Sequence, residues 1–312
     1  MVSDKIKAVL EKQGYRFVGN HSACKICEWT RKSLTDKDVC YKQKFYGVKS
    51  HQCCQMTPSV FCVNRCVFCW RDTSLTTKKD LGKKVDEPKD IIGGCIAAQR
   101  KLLSGFGGND KVNAKKLREA QDPKYFAISL TGEPTLYPKL DGLLSELKKQ
   151  KKCSFLVTNG LFPKSLENLS DLPVQLYVSV DAPNKRLYDE VDRPLAKDSW
   201  DRFNKTLGLL PSLKTRKVLR LTLVKGLNMV DAKGYAQLIK KADPDFVEIK
   251  AYMWVGHSRL NLELKNMPLH KDVKAFSQKI IKLTGLEMID EKENSRVVLL
   301  SGKDSKKRML SF

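Results

Sequence analysis

Long apolar runs are missing from this 312-residue chain, and nothing in it approaches the ~20 residues needed to cross a bilayer. The N-terminus, Met1-Val-Ser-Asp-Lys-Ile6, lacks the apolar core of a secretory signal. These absences lead to the expectation of a cytoplasmic protein without a membrane partner. Internal repeats and low-complexity segments are absent too, which excludes solenoids and disordered arrays. Acidic residues are scarce: 35 Asp and Glu stand against 58 Lys and Arg, a formal charge of +23. Thermal adaptation adds Glu together with Lys, whereas this excess is one-sided. It favours a polyanionic partner held through phosphate contacts, that is, nucleic acid. Local basic runs lie at Lys148-Lys149-Gln150-Lys151-Lys152 and Lys306-Lys307-Arg308.

Cysteine is present in quantity. Of ten cysteines, eight fall between Cys24 and Cys69. The chain is neither small nor marked for secretion, so metal or catalytic roles outrank disulfides. Cys95 and Cys153 fall in a predicted helix and strand and are read as core or surface thiols. The most informative group is Cys62-Val-Asn-Arg-Cys66-Val-Phe-Cys69. Three thiolates on one tight loop can hold three irons of a cubane, and Fe–S clusters normally take four cysteines. The fourth iron is then left open for another ligand, as in catalytic metal sites. A zinc knot is the alternative, although zinc sites usually pair two short CxxC-like spacings. The spacing, with Phe68 just before the last cysteine, resembles the signature of the radical S-adenosylmethionine (SAM) enzymes. That resemblance implies that the open iron chelates SAM, whose cleavage yields a 5′-deoxyadenosyl radical.

Strand-like and helix-like segments alternate, which predicts a parallel sheet. A first helix is predicted over 4–13. Residues 24–71 read as loops and short elements organised by metal. Helices are predicted over 87–103, 138–150, 198–210 and 231–241, the last capped by Asp231. Strands are predicted over 125–131, 154–158, 174–180, 217–224 and 245–250. Counting the strand that leads into the Cys62 loop gives six βα units. The expected fold is α/β: a partial TIM-like (β/α)6 barrel, with active-site residues at the strand C-termini. The expected division is a cysteine-rich N-terminal segment (1–56), the barrel (57–266) and a C-terminal helix and strand extension (267–312).

The predicted strand ends are polar or glycine-rich. Thr131-Gly132-Glu133-Pro134 matches the Gly-Gly-Glu-Pro pattern of radical SAM enzymes, with Thr131 in place of the first glycine. By that resemblance the segment bonds the SAM amino group, largely through backbone atoms. A plain turn is the competing reading. Asn159, in Thr158-Asn159-Gly160, suits either a tight turn or a cofactor contact. By the same resemblance Ser179 and Asp181 are partners for the SAM ribose and amino acid, against a helix-capping alternative. Met253 and Trp254 suit either adenine packing or the core.

Cys27, Cys40 and Cys53 are evenly spaced upstream. They suggest a second cluster, again with an open iron. A zinc site from Cys24, Cys27, Cys40 and Cys53 is the rival, and spacing alone does not separate the two. Cys24 and Cys54 compete as cluster ligands. The stretch from Cys40-Tyr-Lys42 through Ser50-His-Gln-Cys53 to Cys66-Val-Phe-Cys69-Trp-Arg-Asp72 resembles the wyosine-pathway radical SAM enzymes, the tRNA 4-demethylwyosine synthases. The resemblance continues through Thr131–Pro138, Thr158–Gly160 and Ser179–Pro183 and covers nearly the whole chain. It implies a single-domain enzyme of archaeal type with two [4Fe-4S] clusters and SAM. It also implies a flavodoxin- or ferredoxin-type electron donor, and a monomer is expected. The implied substrates are N1-methylguanosine beside the anticodon of tRNA-Phe and pyruvate. Pyruvate is then held by the second cluster or by a Schiff base on Lys42, which otherwise reads as a surface lysine. Arg71, Lys78, Lys79 and Arg193 are candidate tRNA phosphate contacts. Two other readings remain at this level: a radical SAM enzyme for a protein or small-molecule substrate, and a non-catalytic zinc-dependent RNA-binding protein.

Overall fold

A computed structural model describes residues 2–302 and 308–310. Lys306 and Lys307 of the last basic run lie outside the described residues. Among the described residues there are ten strands, β1 to β10: Arg16–Val18, Ser22–Lys25, Cys53–Thr57, Tyr125–Ile128, Cys153–Thr158, Gln175–Ser179, Arg216–Leu223, Phe246–Ala251, Glu287–Lys292 and Val297–Ser301. They form one sheet in the order β1-β2-β3-β4-β5-β6-β7-β8-β10-β9. Strands β3 to β8 run parallel. These are the six expected βα units of a partial barrel.

Parallel strands are covered on both faces, so their sequences are near-continuous apolar runs. Period-two alternation splits each strand between two cores. Phe126, Ile128 and Leu156 face the outer layer under the helices. Tyr125, Cys153, Phe155 and Tyr177 face the lumen. Pro88–Leu103 is the longest helix, with proline in its first turn where the missing N–H costs nothing. It lays Ile91, Ile92 and Cys95 on the outer face of the sheet.

The two edges are antiparallel additions. β1 and β2 form a hairpin that pairs onto β3. β9 and β10 form a C-terminal hairpin, joined to the barrel through β10 and β8. Strand β3 crosses the boundary expected at 56/57, so Cys53 belongs to the first barrel strand. The cysteine-rich stretch has more regular structure than its sequence suggests, with helices Glu28–Leu34 and Tyr41–Tyr46 between β2 and β3. Helix Tyr41–Tyr46 enters the lumenal core, where Phe45 and Tyr46 are fully buried. Burial of side chains this large contributes about 1.5–3 kcal/mol each. Among the described residues no helix is long and apolar enough to cross a membrane.

Candidate active site

The Cys62–Cys69 loop leaves the C-terminal end of β3 and is fastened on both sides by backbone bonds. Cys62 N donates to Thr76 O at 3.0 Å, and Lys78 N donates to Cys62 O at 3.0 Å. Arg65 N and Val67 N donate to Asp192 O and Val191 O at 3.0 and 2.8 Å, and Leu195 N donates to Val63 O at 3.0 Å. The loop thus holds its shape through the polypeptide itself.

The three thiols face a cavity of about 230 Å³ that also reaches Phe68, Thr131, Gly132, Glu133, Asn159, Ser179 and Asp181. These residues, all expected around the first cluster, therefore meet in one place at the barrel mouth. Gly132 has φ of +71°, and an added Cβ there would lie 1.9 Å from Ser59 O. Only glycine permits this approach. Glu133 N donates to Phe61 O at 2.7 Å, clamping the β4 end to the entry of the cysteine loop. The Glu133 carboxylate is buried and fully engaged. One oxygen accepts from Thr135 N and Oγ1 and from Thr158 Oγ1, and the other accepts from Asn159 N at 2.8 Å. It braces two strand ends. Asn159 extends its amide towards Cys62 Sγ at 3.8 Å, while Gly160 (φ +77°) takes the turn. Asp181 accepts from Thr222 N at 3.1 Å, and burial pushes its carboxyl up to about 7. Asn184, not Asp181, caps the following helix, Lys185–Asp192.

Burial pushes the Cys62 thiol up to about 11, and the Arg71 cation opposes that shift. Arg71 is 4% exposed. Its guanidinium reaches Cys69 Sγ at 3.2 Å, Asn64 O at 2.7 Å and Thr76 Oγ1 at 2.8 Å. It is therefore no phosphate contact; it stands where a cation favours thiolates, the form that binds iron. Cys66 donates to Asp192 Oδ1 at 3.1 Å. Burial, and then this carboxylate, push the Cys66 thiol well above its ordinary value. Both Asn64 amide atoms, Thr131 Oγ1 and Asp192 Oδ2 are buried without a hydrogen-bond partner among the described residues. A cavity with three thiols and several unpaired polar groups fits a cluster carrying a polar ligand. Met253 and Trp254 do not line it; Trp254 donates to Leu262 O at 2.8 Å and lies under Arg259. The lining aromatic beyond Phe68 is Trp70, stacked on Tyr15 at 5.9 Å.

The upstream thiols divide by face. Cys27 and Cys40 stand at the N-caps of helices Glu28–Leu34 and Tyr41–Tyr46, and Cys53 opens β3. Burial, the neighbouring Cys27 and, in opposition, the Lys42 cation act on the Cys40 thiol, which is pushed up to about 11. The same neighbours, with Cys40, act on Cys53. Cys54 points the other way, into the layer under helix Pro88–Leu103, where Cys24 Sγ approaches Cys95 O at 3.7 Å. Cys24 therefore does not join Cys27, Cys40 and Cys53. Among the described residues no three His, Cys, Asp or Glu side chains converge on a single ion. A cavity of about 520 Å³ lined by Cys27, Lys25 and Gln55 shares Trp70, Ser129 and Leu130 with the first.

Lys42 is not a surface lysine. It is 8% exposed, with Nζ 4.6 Å from the Tyr177 ring centre and 5.0 Å from that of Phe155. Burial, then the Arg220 cation, push its ammonium below the ordinary lysine value. Arg220 pairs with Glu248 at 3.0 Å and donates to Tyr41 OH at 2.8 Å. Burial pushes the neighbouring Lys250 down to about 8. The sequence reading missed Arg220, Glu248 and Lys250. Their signal is a charge inside an otherwise apolar barrel strand. Asn64 and Asp192, also missed, carry no periodic signal.

A family model described as the Radical SAM superfamily matches residues 56–239, well over half the chain. The fold and the three-thiol cavity thus define a radical SAM enzyme, with SAM and a [4Fe-4S] cluster implied by that class. A second model, described as wyosine base formation, matches residues 241–302. The S-adenosyl-L-methionine-dependent tRNA 4-demethylwyosine synthase of Pyrococcus abyssi is 47% identical over 306 residues, covering 96% of this chain and 90% of its own. The Oryza sativa protein of the same name is 42% identical over 97% of this chain, which spans 47% of that relative. A solved structure of TYW1 with a lysine-pyruvate adduct bound superposes with a TM-score of 0.89 at 35% identity, covering 99% of this chain and 100% of its own. The chain belongs to the tRNA 4-demethylwyosine synthase family.

Proposed function

We propose that this chain converts N1-methylguanosine beside the anticodon of tRNA-Phe into the tricyclic base 4-demethylwyosine, taking two carbons from pyruvate. The observation that carries this reading is that the three-thiol cavity shares Trp70, Ser129 and Leu130 with the cavity reached by Cys27, while Lys42 is buried beside Cys40 and Cys53. The first cluster, when bound by Cys62, Cys66 and Cys69, supplies the electron that splits SAM. Arg71 and Asn159 attend its thiols, while Thr131, Gly132, Ser179 and Asp181 shape the SAM space and Glu133 holds it in register. Cys27, Cys40 and Cys53 hold the second [4Fe-4S] cluster.

Lys42 joins pyruvate as a Schiff base, which needs a neutral amine, and its apolar, cation-flanked setting favours that form. A lysine-pyruvate adduct in a relative with a TM-score of 0.89 supports the assignment. A hydrogen taken from the N-methyl group leaves a carbon radical that adds to the imine carbon of the Lys42-bound pyruvate. The bond to the carboxyl group then breaks, and the carboxyl leaves as carbon dioxide with its unpaired electron returned to the electron carrier. The exocyclic amine of the guanosine displaces the Lys42 amine to close the ring. A flavodoxin- or ferredoxin-type donor supplies electrons, and the enzyme acts as a cytoplasmic monomer.

The test supplies anaerobically reconstituted protein with SAM, reductant, pyruvate labelled on its methyl carbon and tRNA bearing N1-methylguanosine. Nucleoside masses from the unaltered protein should show a labelled tricyclic guanosine. Lys42→Met should still cleave SAM but lose product roughly a hundredfold or more, the scale of a positioned catalytic group. SAM cleavage without any tricyclic product from the unaltered protein would overturn the substrate assignment.

A further inference from the structure

Behind the first cluster loop lies a second concavity, a groove of about 610 Å³ walled by Arg65, Lys185, Arg193 and Lys197, with Thr73 and Asn261 at its rim. Its one acid, Asp189, is paired with Lys185 at 2.7 Å. Among the described residues Arg65, Arg193 and Lys197 make no ion pair, and all three are exposed. Three uncompensated cations in a concave wall concentrate positive potential more than scattered lysines do.

The groove and the cluster cavity are two sides of one ribbon. The bonds from Arg65 N to Asp192 O, Val67 N to Val191 O and Leu195 N to Val63 O tie the cysteine loop to residues 191–195. Along this ribbon neighbours face opposite ways. Cys66 and Asp192 line the cluster cavity, whereas Arg65 and Arg193 line the groove. Arg65 Nε also donates to Arg193 O at 3.4 Å, and Arg193 takes a left-handed φ of 44° to make the turn.

We propose that this groove holds backbone phosphates of the tRNA strand flanking the target nucleotide, so that the base turns over the ribbon into the cavity. The inference rests on the tRNA reading above. A flanking phosphate held here and a base extruded there suit single-stranded loop recognition, in which bases are splayed out from a fixed backbone. The assignment takes Arg193 from the four phosphate candidates read in the sequence and adds Arg65 and Lys197.

Binding of tRNA is measured across a salt series for the unaltered protein, for Arg193→Asn/Lys197→Gln, and for Lys149→Gln/Lys240→Gln. Asparagine tolerates the left-handed backbone at position 193. The control pair sits at helix C-terminal ends, on the opposite end of the barrel. Loss of two phosphate contacts should flatten the slope of log K against log salt by about 1.4 on a single strand. The control should keep the original slope, and all three proteins should cleave SAM equally without tRNA. An unchanged slope in Arg193→Asn/Lys197→Gln would overturn the groove. If that pair loses SAM cleavage, the single Lys197→Gln, outside the bonded ribbon, carries the test with half the change. Failure of the unaltered protein to bind tRNA at low salt would instead sink the functional reading itself.

Discussion

A single methyl group at position 132 tests how tightly the cluster loop is set. The Cβ of Gly132→Ala would fall 1.9 Å from Ser59 O and 2.7 Å from Phe61 O, both backbone atoms that cannot rotate away. The β4 end must then retreat, and the bond from Glu133 N to Phe61 O that steadies the approach to Cys62 goes with it. SAM cleavage, followed as 5′-deoxyadenosine formation, should fall by about tenfold or more, the cost of roughly 1.4 kcal/mol in the barrier. The Gly-Glu-Pro motif was legible in the sequence, but the reason for it was not. Glu133 is read as a cofactor contact from its motif, whereas its carboxylate is spent on Thr135, Thr158 and Asn159. Lys42 shows the same gap. Its neighbours in sequence give no hint that Phe155 and Tyr177, more than a hundred positions on, enclose it.

At the scale of elements, strand β3 decides which cysteines can meet. Adjacent strand residues point to opposite faces, so Cys53 turns to the lumen while Cys54 joins Cys24 and Cys95 under helix Pro88–Leu103. Spacing identified Cys27, Cys40 and Cys53 as a set but left Cys24 and Cys54 as competitors, because the face of a two-cysteine step depends on the strand register. Cys53→Ala should lower iron in reconstituted protein from about eight to about four atoms per chain, the content of one cubane. Cys54→Ala and Cys24→Ala should leave it at about eight. Equal losses from Cys53→Ala and Cys54→Ala would show that the faces are wrongly assigned. The parallel strands were legible because burial on both faces leaves apolar runs. Helix Tyr41–Tyr46 was not, since six residues are too few to show a helical period.

For the molecule as a whole, the +23 charge and the partial barrel belong to one account. Six parallel strands gather their C-terminal ends around the thiols, helices Glu28–Leu34 and Tyr41–Tyr46 set Cys27 and Cys40 at their starts near Cys53 of β3, and the C-terminal hairpin closes the far edge. Net charge was plain from composition, but its distribution was not. Arg71, adjacent in sequence to the cysteines, is turned inward to Cys69, while Arg65 and Arg193 face the groove. The proposed reaction begins with one event, the transfer of hydrogen from the N-methyl group of the tRNA base to a radical formed beside Cys62, Cys66 and Cys69. The direct measurement uses tRNA whose N1-methylguanosine carries a trideuterated methyl group and reads the mass of the 5′-deoxyadenosine formed. Singly deuterated 5′-deoxyadenosine, appearing in step with the tricyclic product, is the predicted result. Tricyclic product accompanied by unlabelled 5′-deoxyadenosine would contradict it.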